Sequence, residues 1–207
     1  MSDNQIIEVK VNIPSYEYDI HSLVKAFYPK AEVNVQVKDA FETECKLQLD
    51  VHFKEGSVNV TTFEDRQSMY VGFCDLPDTL TRKEVKDRFK RLIYNALSEY
   101  SGRTLPWGTL TGIRPTKIPM GMLEEGATEE EIHQYMKDTY YCSDEKISLS
   151  IEIAKWEREL LSGIDYKDGY SLYVGIPFCP STCLYCSFTS YPLGKWERKV
   201  DDYLDAL

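Results

Sequence analysis

The chain has 207 residues and a mass of 24.0 kDa, 43% of them hydrophobic and 28% charged, an ordinary globular composition with room for one large domain or two small ones. A formal charge of −10 and a pI near 4.9 set the molecule as a whole against nucleic-acid and anionic-membrane binding, because an acidic surface repels phosphate at long range. Asp3, Glu8, Lys10, Glu17, Asp19, Lys25 and Lys30 interrupt the first thirty residues, which excludes the apolar core of a signal peptide and leads to the expectation of a cytoplasmic chain.

The first third alternates. Ile7, Val9, Val11 and Ile13 share one face of an extended segment, and the same period of two recurs at Val33/Val35/Val37, Leu47/Leu49/Val51/Phe53, Val58/Val60 and Met69/Val71/Phe73. This predicts half-buried strands of a largely antiparallel sheet, with one helix over Tyr18 to Tyr28 and a hairpin turn at Glu55-Gly56-Ser57. Thr81 and Glu84 fit a capping box, and Val85, Phe89, Leu92, Ile93, Ala96, Leu97 and Tyr100 follow at helical spacing up to Gly102. Residues 1–103 therefore read as an α+β domain.

Residues 104–127, with Pro106, Pro115 and Pro119, read as an irregular connector. A second capping box, Thr128 with Glu131, opens a helix to about Asp138, and a longer helix spans roughly Ser143 to Leu161. The longer helix carries two apolar stripes, Ile147/Ile151/Ala154/Leu161 and Leu149/Ile153/Trp156/Leu160, and so predicts packing between neighbours. Connector and helices together make a region from 104 to 168. Leu172 to Ile176 then forms a short apolar run of the kind that makes a buried parallel strand, a loop follows, and an amphipathic helix begins at Lys195.

Gly169 to Gly194 is 26 residues without Asp, Glu, Lys or Arg, enough to cross a bilayer, but Pro177, Pro180 and Pro192 would leave backbone groups unpaired in lipid, so no membrane span is expected. Cys45, Cys74 and Cys142 are isolated and read as small buried apolar side chains. Cys179, Cys183 and Cys186 differ, because C-x3-C-x2-C places three thiols on one tight loop where they can converge on a single inorganic centre. A structural zinc site normally takes four ligands, and His21, His52 and His133 are all remote in sequence. A [4Fe–4S] cluster held by three cysteines leaves one iron open, which is a catalytic arrangement.

This spacing, with Tyr185 before the third cysteine, resembles that of the radical S-adenosylmethionine superfamily. Tyr173-Val-Gly-Ile-Pro-Phe-Cys179, Cys186-Ser-Phe-Thr-Ser-Tyr-Pro192 and the W-G-T-L-T-G-I-R-P-T-K segment from Trp107 to Lys117 are similar to the oxygen-independent coproporphyrinogen III oxidase family, in particular its HemZ-like coproporphyrinogen dehydrogenase subgroup. The similarity covers roughly Trp107 to Pro192.

The resemblance implies that residues 169–207 are the first β-loop-α unit of a radical S-adenosylmethionine partial (β/α)6 barrel. It implies cluster ligation by Cys179, Cys183 and Cys186, with Tyr185 against the adenine side of S-adenosylmethionine and Tyr173 near the cluster and the cofactor's polar end. It further implies an electron donor such as flavodoxin or ferredoxin, and conversion of two coproporphyrinogen propionates to vinyl groups with loss of carbon dioxide. Gly175 replaces the His of the family signature, and Phe188 stands where some oxidases carry a fourth Cys. The heme-chaperone relatives share that C-x-F pattern, which keeps a heme-binding protein without decarboxylase activity as the alternative. A partial barrel needs on the order of 200 residues, scaled from the ~250 of a complete eight-unit barrel, so the chain is expected to be the N-terminal portion of a protein about twice as long and inactive by itself.

Arg114 and Lys117 are the candidate contacts to the propionates of a tetrapyrrole, since arginine meets carboxylates through two parallel hydrogen bonds. The plainer reading, an interdomain turn whose cations pair with the acidic bulk, is preferred. Residues 81–120 carry nine Lys/Arg against three acids, but Glu84 and Asp87 interrupt the basic face and no aromatic platform accompanies it, so a solvated helix face is expected there and no nucleic-acid partner.

Overall fold

The computed structural model describes residues 5–42, 45–112, 114–165 and 168–207. They fall into two compact units, Met1–Gly163 and Ile164–Leu207. The first unit begins with β1 (Ile6–Val11), α1 (Glu17–Phe27), β2 (Glu32–Val37), β3 (Leu47–Lys54), β4 (Ser57–Glu64), β5 (Gln67–Asp75) and α2 (Arg82–Ser101). The five strands make one sheet in the order β2-β1-β3-β4-β5. The sheet is mixed rather than largely antiparallel. Helix α1 carries the chain back so that β2 lies parallel to β1, and β3 joins the other side of β1 in the same direction, while β3-β4-β5 is an antiparallel meander. Alternation reports which residues share a face and is silent on strand direction, so the pattern of apolar residues could not separate the two.

One face of the sheet is the core. Ile7, Val9 and Val11 on β1, Leu47, Leu49 and Val51 on β3, and Val58 and Val60 on β4 are fully buried. They pack against Ile20, Leu23, Val24 and Phe27 of α1, and against Phe89, Ile93, Ala96 and Leu97 of α2. Both sets recur every three or four residues, which places them on one stripe of each helix. The capping box of Thr81 and Glu84 is present, and Gly102 ends α2 in the left-handed conformation. On the opposite face, Glu8 is buried and accepts hydrogen bonds from Lys38, from the Glu42 amide and from Gln48, which satisfies a carboxylate that would otherwise be costly to bury.

Strand β5 departs from the expected packing. Met69, Val71 and Phe73 point to solvent, whereas Tyr70 and Cys74 are the half-buried residues that pack on the core. Gly72 leaves room there for Leu92 and for the Tyr70 ring.

A second core lies in the helices α3 (Lys117–Glu124), α4 (Glu129–Tyr140) and α5 (Asp144–Ser162). Met120, Leu123, Ile132, Met136, Ile147 and Ile151 are buried together. Helix α3 occupies part of the stretch expected to be irregular. Its Pro119 stands in the first turn, where a backbone amide has no acceptor inside the helix, so the proline removes nothing. Helix α4 starts on the predicted Thr128/Glu131 capping box. Of the two stripes on α5, Ile147, Ile151 and Ala154 are buried but Leu161 at the end of the first is exposed, and Leu149, Trp156 and Leu160 of the second are exposed as well.

The segment Pro106–Thr109 is tied to the α4–α5 connection. The Thr109 amide donates to the Tyr140 carbonyl at 2.7 Å and the Ser143 amide to the Pro106 carbonyl at 2.9 Å. The cations of α2 are used inside this unit: Lys86 pairs with Asp19 at 3.1 Å, Arg88 donates to the Asp75 carbonyl, Arg91 to the Asp138 carbonyl and Lys83 to the Tyr135 hydroxyl. No helix among the described residues is long and apolar enough to cross a membrane.

Candidate cluster-binding loop

The second unit contains β6 (Phe178–Cys179), β7 (Tyr191–Pro192), α6 (Leu193–Trp196) and α7 (Val200–Ala206), with a 3-10 turn between the last two. The predicted strand from Leu172 to Ile176 is not formed, and its residues are mostly exposed. A parallel strand is held only by neighbours on its edges and helices on its faces, and among the described residues no strand pairs with this run.

The loop that carries the three cysteines is closed at its base. β6 and β7 pair in parallel, Phe178 with Tyr191 and Cys179 with Pro192, and the Tyr191 amide donates to the Pro177 carbonyl at 2.7 Å. Aromatic contacts reinforce the closure. Phe178 meets Tyr203 edge-on with ring centroids 5.4 Å apart, Tyr191 lies 4.9 Å from Trp196, and the Tyr203 hydroxyl donates to the Gly175 carbonyl. The ends of the loop from Cys179 to Tyr191 are thereby held side by side. The amphipathic helix expected from Lys195 is broken by the 3-10 turn, and the clamping of Phe178 and Tyr191 by Tyr203 and Trp196 is a tertiary contact that spacing does not encode.

Inside the loop the Cys186 amide donates to the Cys183 carbonyl at 3.0 Å. That bond makes Cys183-Leu-Tyr-Cys186 a β-turn, which brings its first and last Cα atoms within about 7 Å. Cys183 is exposed, Cys179 and Cys186 are half-buried, and none is in a disulfide. Among the described residues no three Cys, His, Asp or Glu side chains are gathered as a metal-binding group. The donor set nevertheless fits an iron–sulfur cluster: three free thiols on one loop, two of them joined by a turn and the third at its clamped base. Tyr173 and Tyr185 are 83% and 90% exposed, and neither contributes to the clamp.

The remaining candidates lie in the first unit. Arg114 donates to both carboxylate oxygens of Glu157 on α5 at 3.2 and 3.3 Å, the pairing with an acidic neighbour that the plainer reading anticipates. Lys117 opens α3 and is exposed. Cys142 is buried and accordingly pushed up to about 11, and burial also raises Cys45 and Cys74, which keeps all three as thiols at neutral pH.

Compared with known proteins, the chain is 32% identical over 192 residues to the oxygen-independent coproporphyrinogen-III oxidase-like protein HemZ of Bacillus subtilis (strain 168). The match covers 89% of this chain and 38% of that protein, so the chain spans well under half the length of its curated relative. A match of that extent reaches beyond the stretch from Trp107 to Pro192 and takes in most of the α+β region. No family model matches the chain, and no solved structure matches it.

Proposed function

The chain belongs to the HemZ-like radical S-adenosylmethionine family, and on that premise we propose that it supplies the N-terminal domain and the cluster-binding loop of an enzyme that decarboxylates coproporphyrinogen III. The observation that carries this reading is the C-x3-C-x2-C loop itself, clamped at Cys179 and Pro192 and turned at Cys183–Cys186.

In this reading Cys179, Cys183 and Cys186 hold a [4Fe–4S] cluster as thiolates. When bound, the cluster supplies the electron that cleaves S-adenosylmethionine and so starts hydrogen abstraction from the propionate. The chain's own residues bind and position. Tyr185 would lie beside the adenine and Tyr173 near the cofactor's polar end, and the clamp of Phe178, Tyr191, Trp196 and Tyr203 keeps the loop ends from separating. The absence of charged side chains from Gly169 to Gly194 leaves the thiolates and the cluster as the dominant charges there. The exposed Tyr173, Leu172, Ile176 and Tyr185 are surfaces for further barrel strands and cofactor to cover. In the complete protein, residues 169–207 would become the first β-loop-α unit of a partial (β/α)6 barrel, the run from Leu172 to Ile176 forming its strand only when further strands pair with it, and flavodoxin or ferredoxin is the class of electron donor.

The test is anaerobic reconstitution of the full-length protein with iron and sulfide, read by charge-transfer absorbance and iron content, followed by assay of 5′-deoxyadenosine with and without coproporphyrinogen. Cluster uptake that is lost in Cys183→Ala, with vinyl product formed only by the wild type, is the expected result. Cluster content unaffected by Cys183→Ala would overturn the ligand assignment. Cleavage of S-adenosylmethionine without vinyl product would replace the decarboxylase by a heme chaperone, the relative that shares Phe188 after the third cysteine.

A further inference from the structure

Helix α5 carries two apolar stripes, and only one of them is covered. Ile147, Ile151 and Ala154 face the core shared with α3 and α4, while Leu149, Trp156 and Leu160 are exposed and Ile153 is half-buried on a second face. These last four follow one another at steps of four, three and four residues, the spacing of a seam packed lengthwise against another helix. The charges beside the seam differ in how they are used. Glu157 accepts from Arg114 through both oxygens, and Glu145 pairs with Lys146 at 3.1 Å. The cations nearest Glu152 and Glu159 are engaged elsewhere, Lys155 by Glu129 of α4 at 2.6 Å and Arg158 by the Leu123 carbonyl of α3 at 3.1 Å. Glu152 and Glu159 themselves are exposed and form no ion pair among the described residues.

We propose that this seam seats a helix from the part of the polypeptide that follows Leu207, and that this helix carries lysine or arginine opposite Glu152 and Glu159. The inference rests on the reading of the chain as the N-terminal portion of a longer enzyme. The match covers 38% of the HemZ protein, so more than half of that relative lies outside it. A barrel of the class proposed above carries its helices on the outside, which makes a helix the surface it offers to a neighbour. Helix α5 ends at Ser162, and the run that would become the first barrel strand begins soon after, at Leu172. So short a tether keeps the outer helices at a high effective concentration around α5. The charges decide against a second copy. With Leu149 and Trp156 at the d positions of a heptad and Ile153 and Leu160 at a, Glu152 and Glu159 take g and Glu157 takes e. A parallel pair of α5 helices would set Glu152 against Glu157 of the second copy, and an antiparallel pair would set it against Glu159. Like charges meet in either arrangement, whereas a basic flank satisfies both free carboxylates.

The test compares the 207-residue chain with the full-length protein, both labelled with 5-fluorotryptophan, the Trp156 resonance being assigned by its loss in Trp156→Phe. The shift of that resonance between H2O and D2O reports how far water reaches the ring. It should be large in the 207-residue chain and fall severalfold in the full-length protein. Glu152→Lys together with Glu159→Lys should restore it in the full-length protein, with hydrogen-exchange protection of α2 retained to show that the first unit is folded. An equal shift in the two chains overturns the proposal, and so does a Trp156 that stays covered in the charge-reversed variant. A 207-residue chain that dimerises by light scattering with Trp156 covered overturns it in favour of a second copy. Cluster content, measured on the same preparations, separates this inference from the one it rests on. Cluster bound through Cys183 with Trp156 still wet sinks the docking alone, and a covered Trp156 without cluster supports the docking and sinks the ligand assignment.

Discussion

At Lys90 burial and charge oppose each other directly. Its side chain is buried within α2, and its ammonium donates to the Thr111 hydroxyl at 3.2 Å. Desolvation lowers its pKa below the ordinary 10.5, and the carboxylates of Asp19 and Asp87 offset this only in part. Asp87 is shifted the other way by its own burial, with Lys83 and Lys90 opposing the rise. Because the unfolded chain holds the Lys90 proton more tightly than the folded one, stability from this group increases as pH climbs from the folded value toward 10.5. Lys90→Met removes that dependence. Urea unfolding over a range of pH should find the variant more stable than wild type near neutrality, with the margin shrinking as alkalinity rises. A variant less stable near neutrality, with a pH profile parallel to wild type, would show that the hydrogen bond to Thr111 outweighs the cost of burying the charge.

Among the elements, the junction of the 105–112 segment with the α4–α5 connection leaves no room for a larger residue at Gly108. Gly108 has a φ of +54°, and a Cβ placed there would fall 1.9 Å from the Tyr140 carbonyl oxygen. The same oxygen accepts the Thr109 amide, and Trp107 accepts from the Cys142 thiol. Gly108→Ala should therefore cost about 2–4 kcal/mol of stability by chemical denaturation, since backbone must move and a buried hydrogen bond is disturbed. Gly112 is the internal control. No atom lies within 4 Å of a Cβ built there, so Gly112→Ala should change stability by less than about 0.5 kcal/mol. The W-G-T-L-T-G motif thus contains one glycine required by close approach and one that is not, a distinction that the spacing of the motif does not carry.

For the molecule as a whole, both hydrophobic cores lie within Met1–Gly163, while many large apolar side chains of Ile164–Leu207 remain exposed. The physical consequence is that cooperative stability belongs to the first unit. A chain ending at Gly163 should unfold in one transition with a midpoint within about 3 °C of the 207-residue chain, a shift corresponding to about 1 kcal/mol for this size. A midpoint lowered by more than about 10 °C would mean that the second unit contributes substantially to the first.

Features that depend on neighbours along the chain could be read directly. The capping boxes at Thr81 and Thr128, the left-handed Gly102 and the hairpin turn at Gly56 are local hydrogen-bond and steric requirements, and the periods of two and of three to four place Ile7/Val9/Val11 and Phe89/Leu92/Ile93/Ala96/Leu97 on their buried faces. The three cysteines were legible for the same reason: a ligand set carried on eight consecutive residues is a local pattern. Tertiary structure decided the rest. It made β2 and β3 parallel to β1, turned Met69, Val71 and Phe73 outward, used Arg114 on Glu157, and closed the cysteine loop with Phe178, Tyr191, Trp196 and Tyr203. Periodicity states that a face is apolar, but whether that face is covered depends on what the remainder of the chain brings to it, and that is a property of the packed molecule.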